Sequence, residues 1–384
     1  MKKIQLIVEA GVNIEQENKI ASIARVKYVL PSIGLYVVEI PEARVDELRE
    51  IEGVNSILSD THIMAQNIFA IKSFKKKLTG MGVTVAILDT GIAPVNDLVN
   101  PKTRIIDFVD FVNNKGHAYD DNAHGTHVAG IIAGNGRSSY GEHVGLAPEA
   151  NIIGVKVLDE HGRGKAADAL AGIQWVLDNQ KKYNIRVVNL SIGTEDLGSM
   201  DPLVRSVETL WDAGVVVVIA AGNNGPNYFS ITSPGISRKV ITVGASDDNI
   251  KTHIWGSQKI NFSGRGPTSE CIIKPDILAP GTDIISTLST SRELGRERKK
   301  QLNIINGNYV KMSGTSMACP FVTGAVALFL QNFPNSEPND VKLALKRSAV
   351  DLNYPKNRQG WGLIDVNKFV TQEPKNILKS ATLY

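Results

Sequence analysis

Val83-Thr84-Val85-Ala86-Ile87-Leu88-Asp89-Thr90-Gly91 is a run of apolar, largely β-branched residues that ends abruptly in an aspartate and a glycine. A short run this continuously apolar suits a strand buried on both faces of a sheet. Four more runs of the same kind follow: Ile152 to Val157, Val187 to Leu190, Val215 to Ala220 and Val240 to Val243. Among them, Ala166 to Asn179 and Pro202 to Ala213 show helical periodicity, the second stopped by Gly214. From Gly82 onward the alternation predicts an α/β domain with a doubly wound, mostly parallel sheet flanked by helices. Its site is expected at the carboxyl ends of the strands.

Upstream the pattern changes. Lys3 to Val8 and Val54 to Leu58 read as strands, and Glu15 to Val26 and Glu42 to Glu52 as helices. Lys27 to Pro41 alternates like two strands broken at Pro31 to Gly34. The order βαββαβ predicts a small α+β, ferredoxin-like domain over residues 1–66. The polar stretch Ser59 to Lys77 follows it, and residues 67–384 form the second expected domain.

The bulk numbers narrow the function. With 384 residues, 42% hydrophobic and 21% charged, the chain can bury a sizeable core. A net charge of +3 gives no global field for nucleic acid or an anionic membrane, so neither is an expected partner. The basic run Arg292 to Lys300 reads as a solvated loop. Cys271 and Cys319 are too few for a disulfide framework and are either free thiols or a single bridge. After Met1-Lys2-Lys3 the apolar run Ile4 to Val8 stops at Glu9, too short for a signal peptide, and no later run can span a bilayer. The expected location is cytoplasmic.

Four places carry chemistry. Asp89 stands where a strand leaves the sheet. His124 opens an apolar, small-residue helix in Asp121-Asn122-Ala123-His124-Gly125-Thr126-His127-Val128-Ala129-Gly130. His127 follows at i+3; a zinc pair would need a third ligand, and none lies nearby in sequence. Spacing alone leaves open which histidine is the base. Ser316, in Gly314-Thr315-Ser316-Met317-Ala318-Cys319-Pro320, precedes an apolar helix, and Pro320 is expected within the first turn. A helix N-terminus favours developing negative charge. Asn223 ends a buried strand between Gly222 and Asn224-Gly225 and can offer a side-chain amide to an oxyanion. A serine hydroxyl needs an imidazole to take its proton, and that imidazole needs a buried carboxylate to hold its tautomer. The tetrahedral intermediate needs preorganised donors.

These blocks resemble those of the subtilase family of serine peptidases, over about residues 80 to 370, and in particular bacterial subtilases that lack a secretion signal. Val85 to Gly91 is similar to the family's aspartate motif, His124 to Gly130 to its histidine motif, Gly314 to Ala318 to its serine motif, and Asn223 to its oxyanion asparagine. The resemblance implies a serine endopeptidase acting on protein or peptide substrates through Asp89, His124 and Ser316, with His124 the catalytic histidine. It also implies a substrate cleft. Gly162 and Gly164 on one side, with Ser191, Ile192 and Gly193 on the other, would clamp an extended peptide as an added strand. Ala220, Ala221 and Gly222 would wall an uncharged, roomy pocket for an apolar or medium-sized P1 residue. The N-terminal unit resembles the family's inhibitor-type propeptide, a self-processed prodomain held in the active-site cleft, with cleavage expected at Gln66-Asn67 and Ile63 in the S4 subsite.

Some positions depart from the family. Ala123 stands where glycine is common, Phe321 where histidine is, and Cys319 where serine is. Asp97 matches a ligand of the secreted subtilisins' calcium site, but Asn135 to Val144 differs from their calcium loop. No cofactor is expected for the chemistry, and structural calcium at a position not yet identified is left open. The segment Thr287 to Val310 is enlarged and charged, and reads as a mobile flap or a site of self-cleavage. The rival reading is a non-catalytic binding protein whose prodomain never leaves.

Overall fold

The computed structural model describes residues 3–30, 35–59, 78–194, 201–254, 257–290, 292 and 294–374. The chain divides into two compact units, Met1–Gln66 and Asn67–Tyr384.

In the first unit, β1 (Lys3–Ala10), α1 (Ile14–Ala21), β2 (Arg25–Leu30), β3 (Leu35–Pro41), α2 (Val45–Arg49) and β4 (Val54–Ser59) follow the βαββαβ order. The sheet order is β2-β3-β1-β4, antiparallel throughout. Alternate residues Leu6, Val8 and Ala10 of β1 and Tyr36, Val38 and Ile40 of β3 turn one face into a core with Ile20 and Leu48 from the helices. The first helix is shorter than its periodicity suggests: Val26 is drawn into register with Val38, so the chain must leave the helix near Ser22.

The second unit contains β5 (Thr84–Asp89), α3 (Asn96–Val99), β6 (Ile105–Asp110), α4 (His124–Ala133), β7 (Asn151–Lys156), α5 (Ala166–Tyr183), β8 (Ile185–Leu190), α6 (Pro202–Asp212), β9 (Val216–Ala220) and β10 (Ile241–Ala245). A short hairpin, β11 (Thr252–Ile254) and β12 (Ser257–Lys259), precedes β13 (Ile277–Ala279). Seven strands form one parallel sheet in the order β13-β10-β9-β8-β5-β7-β6, flanked by helices. The five strands legible in sequence are the five interior ones, where both faces are covered and the side chains are almost uniformly buried. The two edge strands escaped: β6 (IIDFVD) is only partly buried and carries two aspartates, and β13 has three residues.

After β13 come β14 (Ile284–Thr287), α7 (Arg296–Gln301), β15 (Asn303–Ile305) and β16 (Tyr309–Met312), the strands forming a small antiparallel sheet in the order β14-β16-β15. Within the stretch expected to be a mobile flap or a site of self-cleavage, residues 303–305 and 309–310 pair as strands, and Leu288, Leu294 and Val310 cluster with Ala123. Its basic run is a short helix at Arg296–Gln301. Then α8 (Thr315–Asn332) runs through the core, buried from Met317 to Leu330, and α9 (Pro338–Ser348), α10 (Lys356–Gln359) and α11 (Val366–Thr371) complete the unit. Cys319 is buried in α8, Cys271 is exposed, and both are free thiols. No described helix is long and apolar enough to cross a membrane.

Candidate active site

Asp89 closes β5 and is fully buried. Its Oδ1 lies 2.7 Å from Nδ1 of His124, the first residue of α4. The contact requires two backbones to meet closely. A side chain at Gly125 would put its Cβ 2.1 Å from the Gly91 carbonyl oxygen, so only glycine lets the helix start against the strand end. Thr90 Oγ1 laces the two segments, accepting from Gly125 N at 2.9 Å and donating to Asp120 Oδ1 at 2.9 Å.

Asp120 organises the turn into α4. Its carboxylate accepts from Asn122 N, Ala123 N, Thr126 N and Thr126 Oγ1, at 2.6–3.0 Å. In the first turn of α4, Thr126 N is thus satisfied by Asp120 and Gly125 N by Thr90 Oγ1, both from outside the helix. The available signal was an aspartate a few residues ahead of a helix start. Ala123, which stands where glycine is common, adopts φ +85°, a left-handed conformation that costs a side chain roughly 1–2 kcal/mol. Its methyl group packs under Leu288, Leu294 and Val310. Below the turn, Lys156 is fully buried and donates to Asp121 Oδ1, Thr90 O and Leu158 O at 2.6–2.7 Å.

The two histidines separate cleanly. Burial disfavours the charged form of His124, but the charge of Asp89 and the hydrogen bond to it outweigh burial and hold its pKa above 6.5. His127 is fully buried, its Nε2 lies 3.0 Å from Ile284 O and 3.1 Å from Val310 O, and its pKa is pushed down to about 3, chiefly by burial. With one ring nitrogen given to main-chain carbonyls, His127 ties α4 to β14 and β16 and stays neutral. Among the described residues no group of three or more His, Cys, Asp or Glu side chains is arranged as a metal site.

Ser316 is the second residue of α8 and is partly exposed while its neighbours Gly314, Thr315 and Met317 are buried. Pro320 lies at the sixth position of this helix, not in its first turn as expected. A proline there removes the N–H that would bond the Ser316 carbonyl. Ser191, just past β8, donates its hydroxyl to that carbonyl at 3.1 Å, while Ser316 Oγ donates back to Ser191 O at 3.3 Å. Asn189 Nδ2 in turn donates to Ser191 Oγ at 3.1 Å. Asn223, three residues past β9, accepts at Oδ1 from Thr315 N (2.9 Å) and Thr315 Oγ1 (3.1 Å), so its Nδ2 is directed away from the helix amides. Its carbonyl oxygen accepts from Lys259 Nζ at 2.9 Å.

The sheet order puts β7 and β8 on either side of β5, so the turn carrying Gly162 and Gly164 and the segment Ser191-Ile192-Gly193 flank Asp89. Gly162, at φ +72°, sits in a turn held by Asp159 Oδ1, which accepts from His161 N and Arg163 N. Ala220, Ala221 and Gly222 leave β9 beside Thr232, a residue the motifs did not single out. A Cβ at Gly193 or at Gly222 would fall within 2.5 Å of the Thr232 side chain, so threonine fills the space between the two glycines. Asp97 is held within the protein: Oδ1 accepts from Ser138 N at 2.7 Å and Oδ2 from Tyr309 Oη at 2.6 Å. The expected cleavage site, Gln66 and Asn67, and Ile63 lie outside the described residues.

The subtilase family model matches residues 80–362. Serine protease AprX of Bacillus subtilis (strain 168) is 46% identical over 299 residues, covering 76% of this chain and 66% of its own length, so the chain spans just under two thirds of that relative. A thermostable alkaline protease of Halalkalibacterium halodurans is 33% identical over 297 residues, covering 77% of this chain and 70% of the relative. A cold-adapted subtilisin-like serine proteinase of known crystal structure superposes with a TM-score of 0.56 at 29% identity, covering 76% of this chain and 90% of that one.

Proposed function

Because the chain belongs to the subtilase family of serine proteases, we propose that it is a serine endopeptidase working through Asp89, His124 and Ser316. The observation that carries this reading is the buried 2.7 Å bond from Asp89 to His124 Nδ1, which leaves Nε2 as the basic nitrogen, while Ser316 Oγ reaches Ser191 O just past β8, the strand beside β5. Ser316 Oγ attacks the scissile carbonyl as His124 takes its proton. The imidazolium, stabilised by Asp89, then protonates the leaving amine, and water repeats the sequence on the acyl-enzyme. Asn223 Nδ2 and the Ser316 N–H, with the N-terminal end of α8 behind them, stabilise the oxyanion.

An extended substrate pairs with Gly162 to Gly164 and with Ser191 to Gly193. The P1 side chain enters beside Ala220, Ala221 and Gly222. Thr232, wedged against two of the lining glycines, limits this apolar pocket to side chains of modest size. Asp97 serves as a hydrogen-bond acceptor for Ser138 N and Tyr309 Oη, and the chemistry needs no cofactor. The unit Met1–Gln66 acts as an inhibitory prodomain, removed by self-cleavage near Gln66-Asn67.

Intact masses of the wild type and Ser316→Ala, each produced without added protease, test this reading. Splitting of the wild type alone near residue 66 is expected. If both chains stay whole, or both split at that bond, the proposed nucleophile and self-processing are wrong.

A further inference from the structure

Residues 288–308 are fastened at three places to the turn that presents His124. Leu288 and Leu294 pack on Ala123. Ser289 Oγ donates to Asp120 O at 2.7 Å. Arg298 donates from Nε to Asn122 O at 3.0 Å and from Nη2 to Asn122 Oδ1 at 3.2 Å. Asn122 passes the connection on, donating from Nδ2 to Glu160 O at 2.8 Å, on the turn that leads into Gly162 and Gly164. Helix α7 therefore borders both the catalytic histidine and one side of the substrate clamp.

Its charge is out of proportion to its length. Residues 292–300 carry five basic and two acidic side chains, a surplus of three, and the net charge of the whole chain is +3. The run is one of two markedly basic stretches in the sequence, the other being Lys72 to Lys77, and it is the one joined by hydrogen bonds to the turn that presents His124. Arg292, Arg296, Lys299 and Lys300 are exposed, and Glu297 is engaged by Lys300 at 2.7 Å. The adjoining turn adds no opposing excess, since Asp159 and Glu160 are matched by Arg163 and Lys165. The positive charge of Arg298 is among the influences that lower the pKa of His124, which places the helix within electrostatic reach of the imidazole.

We propose that α7 and its flanks form a substrate-selecting surface that draws acidic polypeptide segments into the cleft beside His124. The inference deepens the peptidase reading above and rests on it. Attraction between exposed charges acts within a Debye length, about 10 Å at 0.1 M salt, and chiefly speeds association. It therefore raises kcat/KM for acidic substrates and falls with added salt. A solvated face with no such role would leave acidic and neutral substrates equal.

The experiment uses the mature enzyme and two internally quenched peptides that share one neutral cleavable core. One peptide has flanking Glu residues and the other flanking Gln. At low salt the wild type is expected to cleave the Glu peptide about ten-fold faster in kcat/KM, with the difference shrinking as salt rises toward 0.5 M. In R296E/K299E the preference disappears or inverts, while the rate on the Gln peptide stays within two-fold. If that variant loses rate on both peptides, R296Q/K299Q replaces it, and there the preference must at least halve. Equal rates in the wild type, or a preference that survives both substitutions, overturns the proposal while leaving the peptidase reading in place. Hydrolysis of neither peptide by the wild type overturns both.

Discussion

The first turn of α4 carries two histidines, and their rings meet different regions of the molecule. Toward the end of β5, His124 meets a carboxylate that is itself fully buried, and the pair makes the protonated ring favourable. One turn further on, Nε2 of His127 lies against the main-chain carbonyls of Ile284 and Val310, and burial keeps the ring neutral. Burial is common to both rings, so it cannot explain the difference; the partner decides. A carboxylate turns a buried imidazole into a proton acceptor, whereas a pair of carbonyls turns it into a fastener between a helix and a β-ribbon.

Replacing each ring gives the strongest way to break this contrast. His124→Ala should lower kcat by about a million-fold, as loss of the base in such a triad does, with little change in melting temperature. His127→Gln should keep kcat within about ten-fold but lower stability by about 1–3 kcal/mol, because buried carbonyls of two strands lose a well-placed donor. Kinetics and thermal unfolding on both variants check this. Comparable kinetic losses at the two positions would erase the distinction.

A pH series sharpens the same contrast in two opposite senses. Catalysis needs neutral His124, so the acid limb of kcat/KM should have its midpoint above 6.5, the ordinary histidine value. A midpoint below 6 would mean that Asp89 does not dominate. For His127 the folded pKa, about 3, lies below the unfolded value near 6.5, so within that window the unfolded chain binds one more proton. Its contribution to stability is complete above pH 6.5 and falls by about 1.4 kcal/mol per unit as the pH drops toward 3. Denaturant unfolding of the wild type and His127→Gln should therefore converge as the pH falls, and parallel curves would count against the assignment.

The smallest expected effect concerns how the turn before His124 is built. Ala123→Gly relieves the left-handed strain, worth roughly 1 kcal/mol, and forfeits a buried methyl group worth about 0.8 kcal/mol. Stability should change by less than about 1 kcal/mol. A loss above 2 kcal/mol would show that packing against Leu288 and Leu294 outweighs the backbone cost.

Much of the architecture was legible because it is written in local pattern. The five interior strands announce themselves by continuous apolar runs, and the first unit by period-two alternation broken by two helical stretches. Local pattern placed Asp89 and Asn223 at strand ends and His124 and Ser316 at helix starts, but it left each with an ordinary structural reading; their joint role was expected from the resemblance of the four blocks to the subtilase family. The edge strand β6 was lost because its partial exposure admits polar residues such as Asp107, and because Asp110, though buried, is a strand-ending carboxylate satisfied by the amides of Val112 and Asn113. Pro320 was misplaced because its tolerance at the sixth position of α8 depends on Ser191, 129 residues earlier, which supplies the hydrogen bond that the missing N–H cannot.

The sequence by itself determined which residues can do chemistry and on which kind of element each sits, since strand and helix periodicity and the residue types at their ends are local properties. Which histidine faces the aspartate, that Thr232 fills the space between two glycines, and that the basic helix α7 is tied to Asn122 beside the catalytic turn were decided only by the tertiary structure. Each depends on contacts between segments distant along the chain, and such contacts set burial, partner and charge without leaving a periodic trace in either segment.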